Sequence, residues 1–507
     1  MQSRMILDAP NGFMFRRMIV MSKAQLKSKL SLFDVTNLVV GAIIGADIYV
    51  ASAFGAGLLG PFSLIVWVVA GIFAIVIALC FAQCAALLPR VGGPYAYAHA
   101  AWGAFAGFIV GWALWLAEWM SLAVFPVAFT RYLMFFLPGL DFFSQIAVKG
   151  LFVAFLVVTN ILGVKAAGKV NDLLTIAKLV PLVFFAIIGV VFMLTNGGVV
   201  GGNFSPFSPY GVGNFGLALV LIFWAYAGFE ISTIPAGEIE NPSKTIPRAI
   251  VLGISIVTVF YLVTNVVLFG VRRFDLLRGD FAPLATATST VLVSVPVLAL
   301  VGSLIVGVGA LVSVTGSDES GMIGTSRLGY ALAADGLFPR VFARIHPKFK
   351  TPYLAIIIQA VSALVAAVVG QLDMLIATSV FFMAIAYAAT GASVFFLRRK
   401  GETAQFRVRG GLLIPILGVA FSIYLITQCT LWQIVLGVVL LLAGVPIYVK
   451  YSPKKELTEL KEAFLSREAV LQRLYDQEER FLAHALRHVK QAYKRLAAKE
   501  ETWEVSD

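Results

Sequence analysis

The sequence predicts an all-α polytopic membrane protein with twelve transmembrane helices. Three observations carry that prediction: the composition, the lengths of the apolar runs and the charges of the loops between them. Of 507 residues, 60% are hydrophobic and 13% are charged, whereas soluble domains run at about 45–50% apolar and about 25% charged. Mean hydropathy is +0.90. So much apolar surface belongs in lipid rather than in a water-soluble core. That excludes a secreted enzyme, a nucleic-acid binder and a disordered scaffold for most of the length.

Apolar segments of spanning length fall at 34–58, 61–88, 96–126, 146–164, 169–195, 213–237, 248–271, 291–334, 353–370, 373–398, 411–428 and 431–449. The third and eighth exceed one crossing and extend into water. Loops on the N-terminal side carry Arg90, Lys165, Lys169, Lys244, Arg248, Arg340, Arg344, Lys348, Lys350, Arg398, Arg399, Lys400, Arg407 and Arg409. The opposite loops carry Arg131, Lys149, Arg272, Arg273 and Arg278. Lys and Arg gather on the cytoplasmic side. The bias therefore predicts a multi-pass cell-membrane protein with both termini cytoplasmic, consistent with an even span count.

The segments outside the spans have their own character. Residues 1–31 form a basic cytoplasmic N-terminus with no secretory core, and Met21 opens a more ordinary start than Met1. The twelve-span body runs from 32 to 450. Asn196–Asn214 is uncharged and rich in Gly, Pro and Ser, which predicts an outer loop. In the tail, 451–507, apolar residues from Leu457 and Leu460 to Tyr493 and Leu496 recur at three- or four-residue steps among mixed charges. That is an amphipathic cytoplasmic helix or helix pair, packed on the inner face or used for self-association. Cys80, Cys84 and Cys429 lie inside apolar runs, as small packing residues rather than disulfide or zinc ligands.

Two spans carry the same interruption. The first reads Val40-Gly41-Ala42-Ile43-Ile44-Gly45-Ala46-Asp47-Ile48-Tyr49; the sixth reads Phe223-Trp224-Ala225-Tyr226-Ala227-Gly228-Phe229-Glu230-Ile231-Ser232. Both hold Gly-x-acid-Ile near mid-span. Unwound backbone at membrane depth is tolerated only where it lines a protein cavity. Matching Gly-interrupted helices in two halves point to a midplane binding site. Half-helix N-termini there offer N–H groups to an anion such as a carboxylate, and free carbonyls suit a cation. Close helix packing through Gly41-xxx-Gly45 is the competing reading.

Charges inside spans cost about 2.5–3.5 kcal/mol each on insertion scales, so Asp47, Glu118, Lys178, Glu230, Asp318 and Glu319 each need a partner or a task. Lys178 pairs with a carboxylate, exchanges a proton or snorkels. Asp47 and Glu230 carry a proton or face a substrate ammonium. Glu118 sits among Trp112, Trp115 and Trp119, either as a cavity residue or capped by a tryptophan N–H. Ser313, Thr315 and Ser317 are available to complete a cation or proton site with Asp318 and Glu319. There is no Walker A sequence, no His-Glu-x-x-His, no Gly-x-Ser-x-Gly elbow and no filter-like carbonyl loop. No cofactor, metal or enzymatic activity is implied.

With these residues in view, the chain from about Leu32 to Val449 resembles the amino acid permeases of the amino acid–polyamine–organocation superfamily. The resemblance rests on the Gly41–Ile48 break, on Leu88-Pro89-Arg90-Val91-Gly92-Gly93-Pro94-Tyr95-Ala96-Tyr97, on Phe223–Glu230 with Glu238–Arg248 after it, and on Ser326–Pro339. It implies a five-plus-five inverted repeat of the LeuT-like kind, with halves at about 32–195 and 213–398 and additional helices at 411–449. Helices 1 and 6 would be discontinuous, with alternating access around their breaks. By resemblance, backbone at Ile44, Gly45 and Ala46 binds a substrate carboxylate, and Phe223, Trp224, Tyr226 and Phe229 cover or gate it around Gly228. Lys178 matches a helix-5 lysine found in proton-coupled members, with Ser313 or Ser317 as its neighbour. Glu230 and Asp318 join Lys178 as proton-coupling candidates. One departure is plain: Asp47 stands where the family usually has glycine. It either repels a carboxylate, binds an ammonium or turns toward Lys178. The expected function is a proton-coupled secondary transporter of amino acids. The alternatives are an exchanger or exporter of polyamines or other organic cations anchored by Asp47, and a non-transporting sensor.

Overall fold

A computed structural model of the chain describes residues 30–89, 92–162, 164–233, 239–399 and 410–452. Nearly all of the expected basic N-terminus and of the amphipathic tail lies outside the described residues, as do Arg90, Lys400, Arg407 and Arg409. Among the described residues every regular element is helical, and the one strand-like feature is an isolated parallel bridge between Leu30 and Ile239.

The first span is two helices, α1 (Leu32–Ile43) and α2 (Asp47–Leu59). A capping box starts α1: Asp34 N–H donates to Ser31 Oγ (3.3 Å) and Ser31 N–H to Asp34 Oδ2 (2.8 Å). At Ile44 the backbone turns extended (φ −75°, ψ 105°) and the helix stops. Twelve residues rise only about 18 Å, so neither half crosses a hydrocarbon core of about 30 Å alone. Next come α3 (Ser63–Leu87), a short α4 (Pro94–Trp102), α5 (Ala104–Phe136), α6 (Phe142–Leu162) and α7 (Val164–Thr195). The third span continues ten residues past its expected end at 126. Pro126 lies inside α5 without ending it, and Thr130 Oγ1 donates to the carbonyl of Pro126 (2.7 Å).

The segment Asn196–Asn214, expected as a loop, contains a seven-residue helix, α8 (Gly197–Asn203). Its last residue anchors it, since Asn203 Nδ2 donates to the carbonyl of Gly270 (2.9 Å). One long-range hydrogen bond thus overrides a glycine-rich composition. The sixth span is irregular from its middle: α9 (Phe215–Phe223) tightens to a 3₁₀ turn at Trp224–Tyr226, opens at Ala227–Gly228 and resumes as a 3₁₀ turn at Phe229–Thr233. The rest is α10 (Pro242–Val271), α11 (Phe274–Leu277), α12 (Pro283–Val291), α13 (Pro296–Ala334), α14 (Tyr353–Val369), α15 (Leu372–Arg399), α16 (Leu413–Thr427), α17 (Leu431–Leu442) and α18 (Gly444–Tyr451).

Among the described residues, eight helical stretches are long and apolar enough to cross a membrane, and four shorter apolar helices accompany them. In the body ending at Tyr448, α10 packs on α3 and α1, and α5 packs on α15 and α13. Outward faces stay apolar: Val180, Val183, Ile187 and Val191 on α7 and Val297, Leu300, Leu304 and Val308 on α13 are exposed. In a chain this hydrophobic, such faces mark contact with lipid. The cysteines are buried and free. Cys80 packs on Gly418 and Cys84 donates to the carbonyl of Thr390 (3.4 Å), which agrees with a packing role.

Candidate substrate and coupling site

The two interrupted spans meet at their breaks. Gly228 has φ +116°, a conformation that suits glycine, and a side-chain carbon there would lie 2.8 Å from the carbonyl oxygen of Ala42. Glycine is needed here both for its φ and for the close approach. At Gly45 a Cβ would meet Ser317 Oγ at 2.7 Å and Asp47 Oδ2 at 3.0 Å. The interruption therefore belongs to a packed junction between the α1–α2 break, the sixth-span break and α13.

The carbonyls freed at the first break are taken up from three other helices. Ser317 Oγ donates to Ile44 O (3.2 Å), Ser313 Oγ to Gly45 O (3.3 Å), and Tyr261 Oη of α10 to Ile43 O (3.1 Å). From α7, the Lys178 ammonium donates to the Gly41 carbonyl and lies 3.4 Å from Ser317 Oγ. Lys178 is 2% exposed and does not snorkel. Its charge faces backbone oxygen and hydroxyl oxygen, with Asp47 as the nearest facing acid. The expected alternatives at helix 8 resolve simply: Ser313 and Ser317 are one turn apart and both face the first break.

The aromatic candidates are all buried but do different things. Trp224 Nε1 donates to Ser121 Oγ of α5 (3.1 Å), and its ring packs on Phe125. Phe223 and Phe229 both pack against Tyr387 of α15, and Phe229 also meets Phe81 of α3. Tyr226 Oη donates to the carbonyl of Trp67 (3.0 Å), and its ring packs on Tyr261. Tyr226 thus buttresses the break through Tyr261.

Among the acids, Glu230 Oε2 accepts from Gly228 N–H (3.0 Å), the Tyr387 hydroxyl of α15 faces the same carboxyl, and Glu118 of α5 is an acidic neighbour. The expectation of a tryptophan cap on Glu118 is not met. Trp112, Trp115 and Trp119 stack along α5, the Trp112 N–H goes to Leu440 O (3.0 Å), the Trp119 N–H to Ser362 Oγ (2.8 Å), and the Trp115 N–H is unpaired. Asp318 is buried with neither oxygen hydrogen-bonded. The expected helix-8 cluster does not form around it: Ser313 and Ser317 serve the first break, and Thr315 bonds back to Leu311 O (2.7 Å). The described residues contain no group of His, Cys, Asp and Glu arranged to hold a metal.

This junction lies within a recognisable family. A family model described as amino acid permease matches residues 30–440. The chain belongs to the amino acid permease family. It is 32% identical over 449 residues to the branched-chain amino acid permease BcaP of Bacillus subtilis, covering 85% of this chain and 94% of that protein. It is 28% identical over 463 residues to a methylthioribose transporter of the same organism, at 86% and 96% coverage. It is 30% identical over 441 residues to the human large neutral amino acids transporter small subunit 2, at 83% and 80% coverage. This permease is therefore a membrane protein of a transporter family.

Of the site residues read from sequence, the structure brings Ile44, Gly45, Ala46, Asp47, Lys178 and Gly228 into one junction. Trp224, Phe223, Phe229 and Glu230 line the neighbouring break, and Asp318 stands apart. Sequence reasoning missed Tyr261, Ser121 and Tyr387. A tyrosine or serine in an apolar span is too ordinary to stand out, and only the partner's position reveals its use.

Proposed function

We propose that this permease is a secondary active transporter that carries amino acids across the cytoplasmic membrane by alternating access, coupled to protons through Lys178. The twelve-span, five-plus-five arrangement is part of the same reading, with both termini cytoplasmic. The observation that carries it is the Lys178 ammonium on the Gly41 carbonyl, beside Ser317, at the point where α1 ends. A lysine is a compact charge that can be removed by deprotonation. Protonated, it supplies donors to an unwound carbonyl. Deprotonated, it leaves that carbonyl without its cation, so its proton and the shape of the break are linked. The N–H groups of the same break suit a substrate carboxylate. Glu230, beside Glu118 and Tyr387, and Asp318, with neither oxygen hydrogen-bonded, are secondary proton sites. Two of the three named relatives are named for amino acids, which supports that substrate class, and the third is named for methylthioribose.

The test is uptake of labelled amino acids into liposomes under an inward proton gradient without sodium, with Lys178→Ala in parallel. Gradient-driven uptake that becomes insensitive to the gradient in the variant is the expected result. Counterflow without gradient-driven uptake would sink proton symport and leave exchange. A second reading is favoured by one observation, the buried carboxylate of Asp47 at the break: transport of polyamines or other organic cations with Asp47 as amine anchor. Uptake of amines that lack a carboxylate, abolished by Asp47→Ala, would establish it instead.

A further inference from the structure

The amides at the first break are a short series with a defined vacancy. Ile44 N–H still donates back to Val40 O (2.9 Å), and Tyr49 N–H donates to Ala46 O (3.1 Å). Between them, no backbone carbonyl among the described residues takes the amides of Gly45, Ala46, Asp47 and Ile48. These are the N-terminal amides of α2, where a helix favours an anion. The side chain that faces them belongs to the chain itself. The Asp47 side chain is 5% exposed and folds back over Gly45, with Oδ2 3.0 Å from where a side-chain carbon on Gly45 would stand. Lys178 of α7 and the Tyr261 hydroxyl of α10 are the other titratable groups that face it.

We propose that the Asp47 carboxylate is a tethered stand-in for the substrate carboxylate: it holds the α2 amides in the unliganded site, and a carboxylate-bearing substrate binds by displacing it. This rests on the reading of the site as one for amino acids. The chemistry is competition between two carboxylates for one set of donors. One is intramolecular and always present, so it weakens the other without ever touching it. The space over Gly45 is occupied once. Displaced, the Asp47 carboxylate has Lys178 and the substrate ammonium within its reach as new partners. The tether thereby lowers the affinity for ligands that carry a carboxylate, while a ligand without one does not compete with it.

Matched pairs test this, each an amino acid and its decarboxylated amine: L-leucine and 3-methylbutylamine, L-serine and ethanolamine, L-arginine and agmatine. Affinities are measured on the full-length purified chain by thermal shift and calorimetry, for wild type, Asp47→Asn and Asp47→Gly. The first variant keeps the shape and removes the charge; the second removes the side chain altogether, so that failure of one to fold does not end the test. The expected result is that both variants bind the amino acid of the responsive pair about three- to thirty-fold tighter, the range spanned by one anion at a helix N-terminus, while the amine is not tightened. In the wild type, the amino acid shifts a buried carboxylate stretching band that the amine leaves in place. Loss of amine and amino acid binding together would make Asp47 an ammonium anchor and overturn the proposal, as would amino acid affinity unchanged by both variants. If neither member of any pair binds to any of the three proteins, the amino acid reading fails first and this inference with it.

Discussion

At the scale of single residues, a charge in an apolar run was legible and its partner was not. Lys178 and Asp47 stand out in any reading of the sequence because lipid tolerates neither without a reason. That Lys178 meets Gly41 O and that Ser313 and Ser317 both turn to the break depends on the register of α13, which no local signal sets. Glu118 shows the converse. Three nearby tryptophans suggested a cap, but their rings stack along α5 and send two N–H groups to α17 and α14. For Lys178 the expected consequence is specific. Lys178→Arg keeps a cation but gives up a removable proton and adds a planar fork to a tight site. Proton-driven uptake is expected to fall at least about ten-fold in this variant, an effect of about 1.4 kcal/mol. Uptake at several external pH values checks it, and a variant that retains the wild-type pH profile would remove Lys178 from the coupling.

At the scale of elements, the helix breaks were readable because glycine beside an acid in mid-span is costly in both propensity and desolvation. The small helix α8 was not, because its anchor, Asn203 donating to the carbonyl of Gly270, lies 67 residues away in sequence. The meeting of the two breaks makes a sharp prediction. Gly228→Ala places a carbon 2.8 Å from Ala42 O at φ +116° and is expected to cost about 1–3 kcal/mol. A lowered melting temperature together with lost uptake is the expected outcome. Gly150→Ala in α6, where a Cβ meets nothing within 4 Å, is the control and should leave both unchanged. Equal behaviour of the two variants would dissolve the junction as a constrained contact.

At the scale of the whole molecule, composition alone identified a membrane protein, and the loop charges, fourteen against five, set the expected orientation. A fluorescent protein fused after Ser452 is expected to fluoresce, as it does when folded in the cytoplasm; a dark fusion would reverse the orientation. Outside the spans, Tyr95 Oη donates to Asp335 Oδ2 (2.9 Å), joining α4 to the end of α13. Burial pushes the Asp335 carboxyl above its ordinary range, while Tyr95 and His99 pull it back in part. The folded state therefore holds that proton more tightly than the unfolded one, and stability falls as pH rises through the ordinary carboxylate range and on through the raised value. Asp335→Asn removes this penalty, so its melting temperature relative to wild type is expected to climb between about pH 4 and pH 7; a flat difference would count against it. The last feature is the bridge where Glu240 N–H donates to Leu30 O (3.0 Å), just ahead of α1 and of α10. It strings the lead-in to the first interrupted helix to the chain that leaves the second. In the proposed proton-coupled cycle, two parts lashed at one end would move as one, and a carrier with one moving part has less opportunity to slip, passing substrate downhill without its proton. In that cycle the strap would bear on the fidelity of coupling rather than on its speed.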